Sequence, residues 1–187
     1  MDHFYIKKLE KTPTHNTVII LSLISTVASI IIWMLMRPTE AALKAASPYG
    51  VMELEFAWSV EKINQIFDSW TEELIIQELN VTLIDYGFLV AYSIFLACLT
   101  LLISRKLLSG QIQLAGLYMT LVPFVAALFD AIENLNLILM LYSPTNFPPF
   151  SPLLASIFAS FKFGLIIIVI IFWIVSTIWF LYQKFSS

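Results

Sequence analysis

The 187-residue sequence is poor in the residue types that build disulfides, metal sites and nucleic-acid surfaces. Cys98 is the only cysteine, so the chain forms no internal disulfide and lacks the paired thiols of quinone-linked disulfide enzymes. Both histidines, His3 and His15, precede the first apolar run, which excludes an intramembrane histidine site within one chain. No basic run is longer than Lys7–Lys8, so nucleic acid is not an expected partner. We predict neither a metal nor a cofactor.

Charged residues are also scarce. They make up 12% of the chain and hydrophobic residues 59%, whereas an ordinary soluble domain has roughly 25% and 45–50%. This composition predicts an integral membrane protein. No glycine-, serine- or proline-rich linker divides the sequence, so we expect a single transmembrane domain over residues 1–187.

Four apolar stretches are long enough to cross a bilayer. A hydrocarbon core of about 30 Å requires around 20 helical residues at 1.5 Å each. The third stretch is interrupted by charged residues but becomes apolar again after Asn136, so we extend that helix to residue 142. The sequence therefore predicts an all-α integral membrane protein, a four-helix transmembrane bundle with spans at about 17–36, 86–104, 114–142 and 153–183.

The distribution of positive charge predicts the orientation of these spans. Lysine and arginine are more frequent in cytoplasmic segments. If the N-terminus and C-terminus are cytoplasmic, six cationic side chains lie inside: Lys7, Lys8, Lys11, Arg105, Lys106 and Lys184. Three lie outside: Arg37, Lys44 and Lys62. We therefore expect the loops 37–85 and 143–152 to be extracytoplasmic.

The long connection before the second span has the periodicity of an amphipathic helix. Its apolar positions recur in steps of three and four: Phe56, Val60, Ile63, Phe67, Trp70 and Leu74. The opposite side is acidic, unlike the basic surface of a helix attracted to anionic lipid. We predict one extracytoplasmic helix over about 49–79, packed on the outward ends of the third and fourth spans.

Charged residues of all four spans share one predicted depth, and Arg37 ends the first span at that level. Asp85, Asp130 and Lys162 each lie about 26–30 Å from the inner end of their helix, from the rise of 1.5 Å per residue. Asp130, Glu133 and Asn134 have i, i+3 and i+4 spacing and therefore lie on one helix face. A half-buried charge needs a partner, so we expect Lys162 to pair with Asp130 or Glu133.

These side chains are the predicted ligand-binding site, near the outer membrane surface. Tyr92 lies on the Asp85 face two turns deeper, and Glu53 at the edge of the amphipathic stripe is expected to add a carboxylate from above. The complete prediction is Asp85, Asp130, Glu133, Asn134, Lys162, Tyr92 and Glu53. An alternative is that such residues only mark the interface and fix helix register.

Three functions are compatible with this sequence. The first is a small, non-catalytic membrane protein, either an accessory subunit or a binding module for a lipid-like amphiphile. Its expected partners are membrane lipid and other membrane subunits or further copies of itself. The second is a membrane-embedded enzyme that acts on a lipid or another amphiphile, with Asp130, Glu133 and Lys162 at its centre. The third is an oligomeric channel or carrier.

Overall fold

The computed structural model describes residues 4–186, and all regular elements among them are helical. The helices are α1 Phe4–Lys8, α2 His15–Ala46, α3 Val51–Glu55, α4 Val60–Ser69, α5 Glu72–Leu107, α6 Gly110–Met119, α7 Val122–Tyr142 and α8 Ser151–Ser186. His3 lies outside the described residues. The predicted all-α class is confirmed.

Four helical stretches are long and apolar enough to cross a membrane: α2, α5, α6 together with α7, and α8. Their number agrees with the prediction, but their bounds extend further. Helix α2 continues past Pro38 to Ala46 rather than ending near residue 36, and α5 begins at Glu72 rather than near residue 86. The predicted bounds followed the apolar runs, whereas the helices continue into segments that include polar residues.

The third span is two helices rather than the single helix predicted over 114–142. Helix α6 ends at Met119 and α7 begins at Val122, one residue before Pro123. Proline has no backbone N–H and its ring clashes with the preceding turn, so an interior proline either kinks a helix, the outcome compatible with the unbroken α2 at Pro38, or breaks it. Pro123 therefore accounts for the interruption.

The prediction of one amphipathic helix over 49–79 is wrong in its continuity. The segment contains α3, α4 and the first turns of α5. Trp58 has a φ of 61°, a left-handed conformation that interrupts the helical backbone. The next residue, Ser59, caps α4: its hydroxyl accepts from the Lys62 N–H at 3.2 Å. A second break follows α4, where the Thr71 hydroxyl accepts from the Leu74 N–H at 3.3 Å.

Contacts divide the chain into two compact units. The first comprises Met1–Val27, Ala91–Ala126 and Phe163–Ser187, and the second Ala28–Val90 and Ala127–Lys162. The sequence of the first contains six cationic and two acidic side chains, and that of the second four cationic and eleven acidic ones. We call them the basic unit and the acidic unit.

The hydrophobic core of the acidic unit is built on α4. Ile63 and Ile66 are fully buried on one face of α4, together with Leu54 of α3, Met140 of α7 and Ala155 of α8. Four residues of the predicted apolar stripe are buried, namely Ile63, Phe67, Trp70 and Leu74, although the ten-residue helix α4 carries only Val60, Ile63 and Phe67 of the stripe. This packing holds α3 close to α8.

Candidate functional site

Lys162 of α8 lies among three carboxylates in the acidic unit. Its Nζ is 2.8 Å from Glu133 Oε2, 3.2 Å from Asp130 Oδ1 and 3.7 Å from Glu55 Oε1. The lysine side chain is 8% exposed, and those of Asp130 and Glu133 are 3% and 0% exposed. The expected pairing of Lys162 with a carboxylate of the third span is confirmed, and both candidate acids take part.

The sequence around these charges allows α7 and α8 to pack closely. Asp130 and Glu133 are one turn apart on α7, and Ala127 precedes Asp130 by one turn on the same face. On α8 the residues one and two turns before Lys162 are Ala159 and Ala155, both fully buried. Small side chains let two helix backbones approach each other. The charged groups therefore meet inside a packed contact.

The third carboxylate belongs to Glu55. The sequence analysis had predicted Glu53 in this place. The Glu53 side chain is exposed, and its carboxylate accepts from the Gly50 N–H at 2.8 Å at the start of α3. Glu55 lies at the end of α3, next to α8. There the Ser156 hydroxyl donates to the Glu55 carbonyl at 2.8 Å and accepts from the Trp58 N–H at 3.0 Å. Ser156 thus fixes the position of Glu55.

Asp85 joins the same region through Asn134. The Asn134 side-chain amide donates to Asp85 Oδ2 at 2.6 Å, and the neighbouring Tyr86 hydroxyl donates to the Ala131 carbonyl at 3.0 Å. These two bonds connect α5 to α7 at the level of the charges. We define the acidic cluster as Glu55, Asp85, Asp130, Glu133, Asn134 and Lys162. Tyr92 is buried in the basic unit, and its role in binding stays a prediction.

A further carboxylate, Glu78, is also buried in the acidic unit and was missed by the sequence analysis. It is 1% exposed, and its Oε2 has no hydrogen-bond donor. The polar face predicted for the amphipathic helix carried Glu61, Asp68, Glu72 and Glu73, and Glu78 was assigned to neither face. Because α5 begins at Glu72, Glu78 lies on a different helix, and its burial follows from the packing of that helix.

The acidic cluster contains unsatisfied acceptors. Glu133 Oε1 and Glu55 Oε2 are buried without a hydrogen-bond donor, and Glu133 Oε2 contacts Lys162 as an ion pair without hydrogen-bond geometry. Four carboxylates share the single positive charge of Lys162. Burial raises the pKa of Glu55, although the nearby Lys162 opposes this shift. The cluster is therefore short of both positive charge and donors.

No protein-family model matches this chain. No curated protein and no solved structure matches it either. Within residues 4–186, no group of three or more histidine, cysteine, aspartate or glutamate side chains has an arrangement suited to a metal ion. The acidic cluster itself offers four carboxylates, one side-chain amide and one lysine.

Proposed function

We propose that this protein is a non-catalytic membrane protein that binds a lipid-like amphiphile, and that the acidic cluster holds the amine head group of that ligand. In this proposal both chain ends are cytoplasmic and the cluster lies near the outer leaflet. The proposal is supported by the positive charge of the basic unit, which agrees with the higher frequency of lysine and arginine on the cytoplasmic side.

The observation that carries the proposal is the pair of unsatisfied oxygens, Glu133 Oε1 and Glu55 Oε2. A buried acceptor without a donor costs about 1–3 kcal/mol, and more if it is charged. A primary ammonium group supplies three donors and one positive charge, and thus offsets both deficits. A quaternary ammonium supplies only the charge and an alcohol only a donor. We therefore expect a preference for primary amines.

An apolar surface beside the cluster suits the tail of such a ligand. Phe129 directly precedes Asp130, and Phe161 directly precedes Lys162. The Phe129 ring lies 5.4 Å from the ring of Phe161 and 5.7 Å from that of Phe158, between centroids. Phe161 is 55% exposed, so this group of rings reaches the surface of the acidic unit. A hydrocarbon chain lying on these rings would leave the head group next to the cluster.

Thermal unfolding in lipid nanodiscs tests the proposal with three probes of equal chain length: decylamine, decyltrimethylammonium and decanol. Decylamine is expected to raise the Tm of the wild-type protein more than the other two. Glu133→Gln should weaken decylamine binding by roughly 10- to 150-fold, since a hydrogen bond to a charged group contributes about 1.5–3 kcal/mol. Asp68→Asn is the matched control, because Asp68 is an exposed carboxylate of the same unit. Equal stabilisation by decyltrimethylammonium, or unchanged binding by Glu133→Gln, would refute the proposal.

One observation favours the enzyme as a second candidate. The carboxyl groups of Glu55 and Glu133 both lie within 4 Å of Lys162 Nζ, and burial raises the pKa of Glu55. Neighbouring carboxyls in different environments serve as general acid and general base in several enzymes. Conversion of an extracted lipid by the wild-type protein, lost in both Glu55→Gln and Glu133→Gln and retained in Asp68→Asn, would support this candidate.

An accessory-subunit role is proposed as an extension of the binding function. The apolar cores of α2 and α8 are only 11% buried within the chain, against 56% for α5. These two helices therefore offer most of their apolar surface to lipid or to other helices. Mass spectrometry of proteins that co-purify in mild detergent, compared with an unrelated four-span protein, tests this extension.

A further inference from the structure

Five of the six cationic side chains of the basic unit lie in the segment that begins with α1 or at the end of α5. Ile6 of α1 and Leu9, directly after α1, pack against Val18, Leu101 and Leu117 and fix this segment in place. The lysines of the same segment, Lys7, Lys8 and Lys11, are exposed. The segment is thus amphipathic, with its apolar side on the protein and its basic side outward.

A hydrogen bond joins this segment to the end of α5. Arg105 Nε donates to the Leu9 carbonyl at 2.7 Å, which brings Arg105 and the exposed Lys106 to the α1 segment. Arg105 Nη2 has no hydrogen-bond acceptor although the atom is buried. The guanidinium group therefore retains a donor for a further acceptor. Phosphate oxygens suit such a donor because they are charged and accept several hydrogen bonds.

A cleft opens between this segment and the start of α6. It is lined by Lys7, Glu10, Gly110, Gln111, Gln113 and Leu114. One lysine and two side-chain amides supply donors there, and Leu114 adds an apolar contact. Five cationic side chains and one acidic side chain, Glu10, make up the surface as a whole: Lys7, Lys8, Lys11, Arg105 and Lys106. We call it the basic surface.

We infer that the basic surface binds the phosphate head groups of anionic phospholipids in the surrounding membrane. Clusters of four to eight lysines and arginines directly beside a span are typical of surfaces that attract acidic lipids. The basic surface meets this description, because Lys11 lies four residues before the start of α2 and Arg105 two residues before the end of α5. Its occupant is the lipid of the bilayer itself. The inference is independent of the proposed role of the acidic cluster.

Native mass spectrometry of the full chain in neutral detergent tests this inference with two short-chain probes, dioctanoyl-phosphatidylglycerol and dioctanoyl-phosphatidylcholine. We expect the wild-type protein to bind the phosphatidylglycerol probe at least tenfold more tightly than the phosphatidylcholine probe. The triple change Lys7→Gln, Lys8→Gln, Lys11→Gln should remove most of this preference, because each cation near an anionic surface contributes about fivefold. The double change Lys44→Gln, Lys62→Gln is the matched control, since both lysines belong to the acidic unit.

Two further measurements keep the inference testable if the triple variant unfolds. The preference of the wild-type protein for phosphatidylglycerol should fall as the salt concentration rises from 0.05 to about 0.5 M, because salt screens exposed charges. Inorganic phosphate at the lipid concentration should not displace the bound lipid. A preference that is insensitive to salt, equal loss in the control, or full displacement by inorganic phosphate would overturn the inference.

Discussion

Replacing Lys162 by methionine removes the one positive charge of the acidic cluster and nearly preserves the length of the side chain. Three carboxylates lie within 4 Å of the lysine Nζ in the wild-type protein. Lys162→Met leaves all three without a cationic partner, whereas Glu133→Gln leaves Lys162 with Asp130 and Glu55. We therefore predict an asymmetry: loss of the lysine destabilises the protein more than loss of any one acid.

The expected magnitude follows from the burial of the pair. Removing one partner of a buried ion pair costs about 3–5 kcal/mol, because the other charge stays buried without compensation. For a chain of this length each kcal/mol corresponds to about 2–4 °C in Tm. We expect Lys162→Met to lower the Tm by roughly 6–20 °C on this scale.

A double-mutant cycle separates this effect from general loss of packing. The variants are Lys162→Met, Glu133→Gln and their combination, measured by thermal unfolding in one detergent. The combined loss should fall short of the sum of the single losses by about 1–3 kcal/mol, since both changes affect the same contact. Lys44→Met is the control, because Lys44 pairs on the surface with Glu40. Additive losses, or a larger effect of Glu133→Gln than of Lys162→Met, would refute the reasoning.

Three other predictions concern separate features. Gly116→Ala should lower the Tm by an amount equivalent to about 1–3 kcal/mol, because a Cβ there would lie 2.9 Å from Ser104 Cβ. Gly164→Ala is the control and should leave the Tm unchanged, because the space around Gly164 is open. Burial raises the pKa of Glu55 above its ordinary value of 4.5, so the free energy of unfolding should fall as the pH rises above 4.5 and this buried carboxyl group loses its proton. Chemical denaturation of the Glu55→Gln variant between pH 4.5 and 8 should show a smaller fall. Reporter fusions should place the C-terminus in the cytoplasm and residues 143–152 outside, and the reverse would contradict the proposed orientation.

The sequence predicted the contact of α7 with Lys162 because periodic spacing and depth are local properties of helices. Asp130 and Glu133 share a face at any position along an α-helix, and the alanines on the Lys162 face indicated close packing. Four apolar runs similarly predicted the number of long helices. These features depend on the helical repeat and on the length of apolar segments, both of which are visible in a single sequence.

Glu55 could not be selected over Glu53 from the sequence, because the choice depends on how α3 is placed on α8. That placement follows from the left-handed conformation of Trp58 and from the two hydrogen bonds of Ser156, which lies about 100 residues further along the chain. The three-and-four periodicity also continued across the breaks at residues 56–59 and 70–71, so it concealed them. Contacts between distant segments decide such details, and periodicity does not report them.

Photolabelling with a primary-amine amphiphile tests the central claim most directly. A decylamine with a diazirine next to its amine is irradiated with the protein in nanodiscs, and the labelled peptides are identified by mass spectrometry. We predict labels in α3 and α7, close to Glu55 and Glu133, and their loss when the probe is N-acetylated and thus uncharged. Labels spread over the exposed faces of α2 and α8, unchanged by acetylation, would contradict the claim.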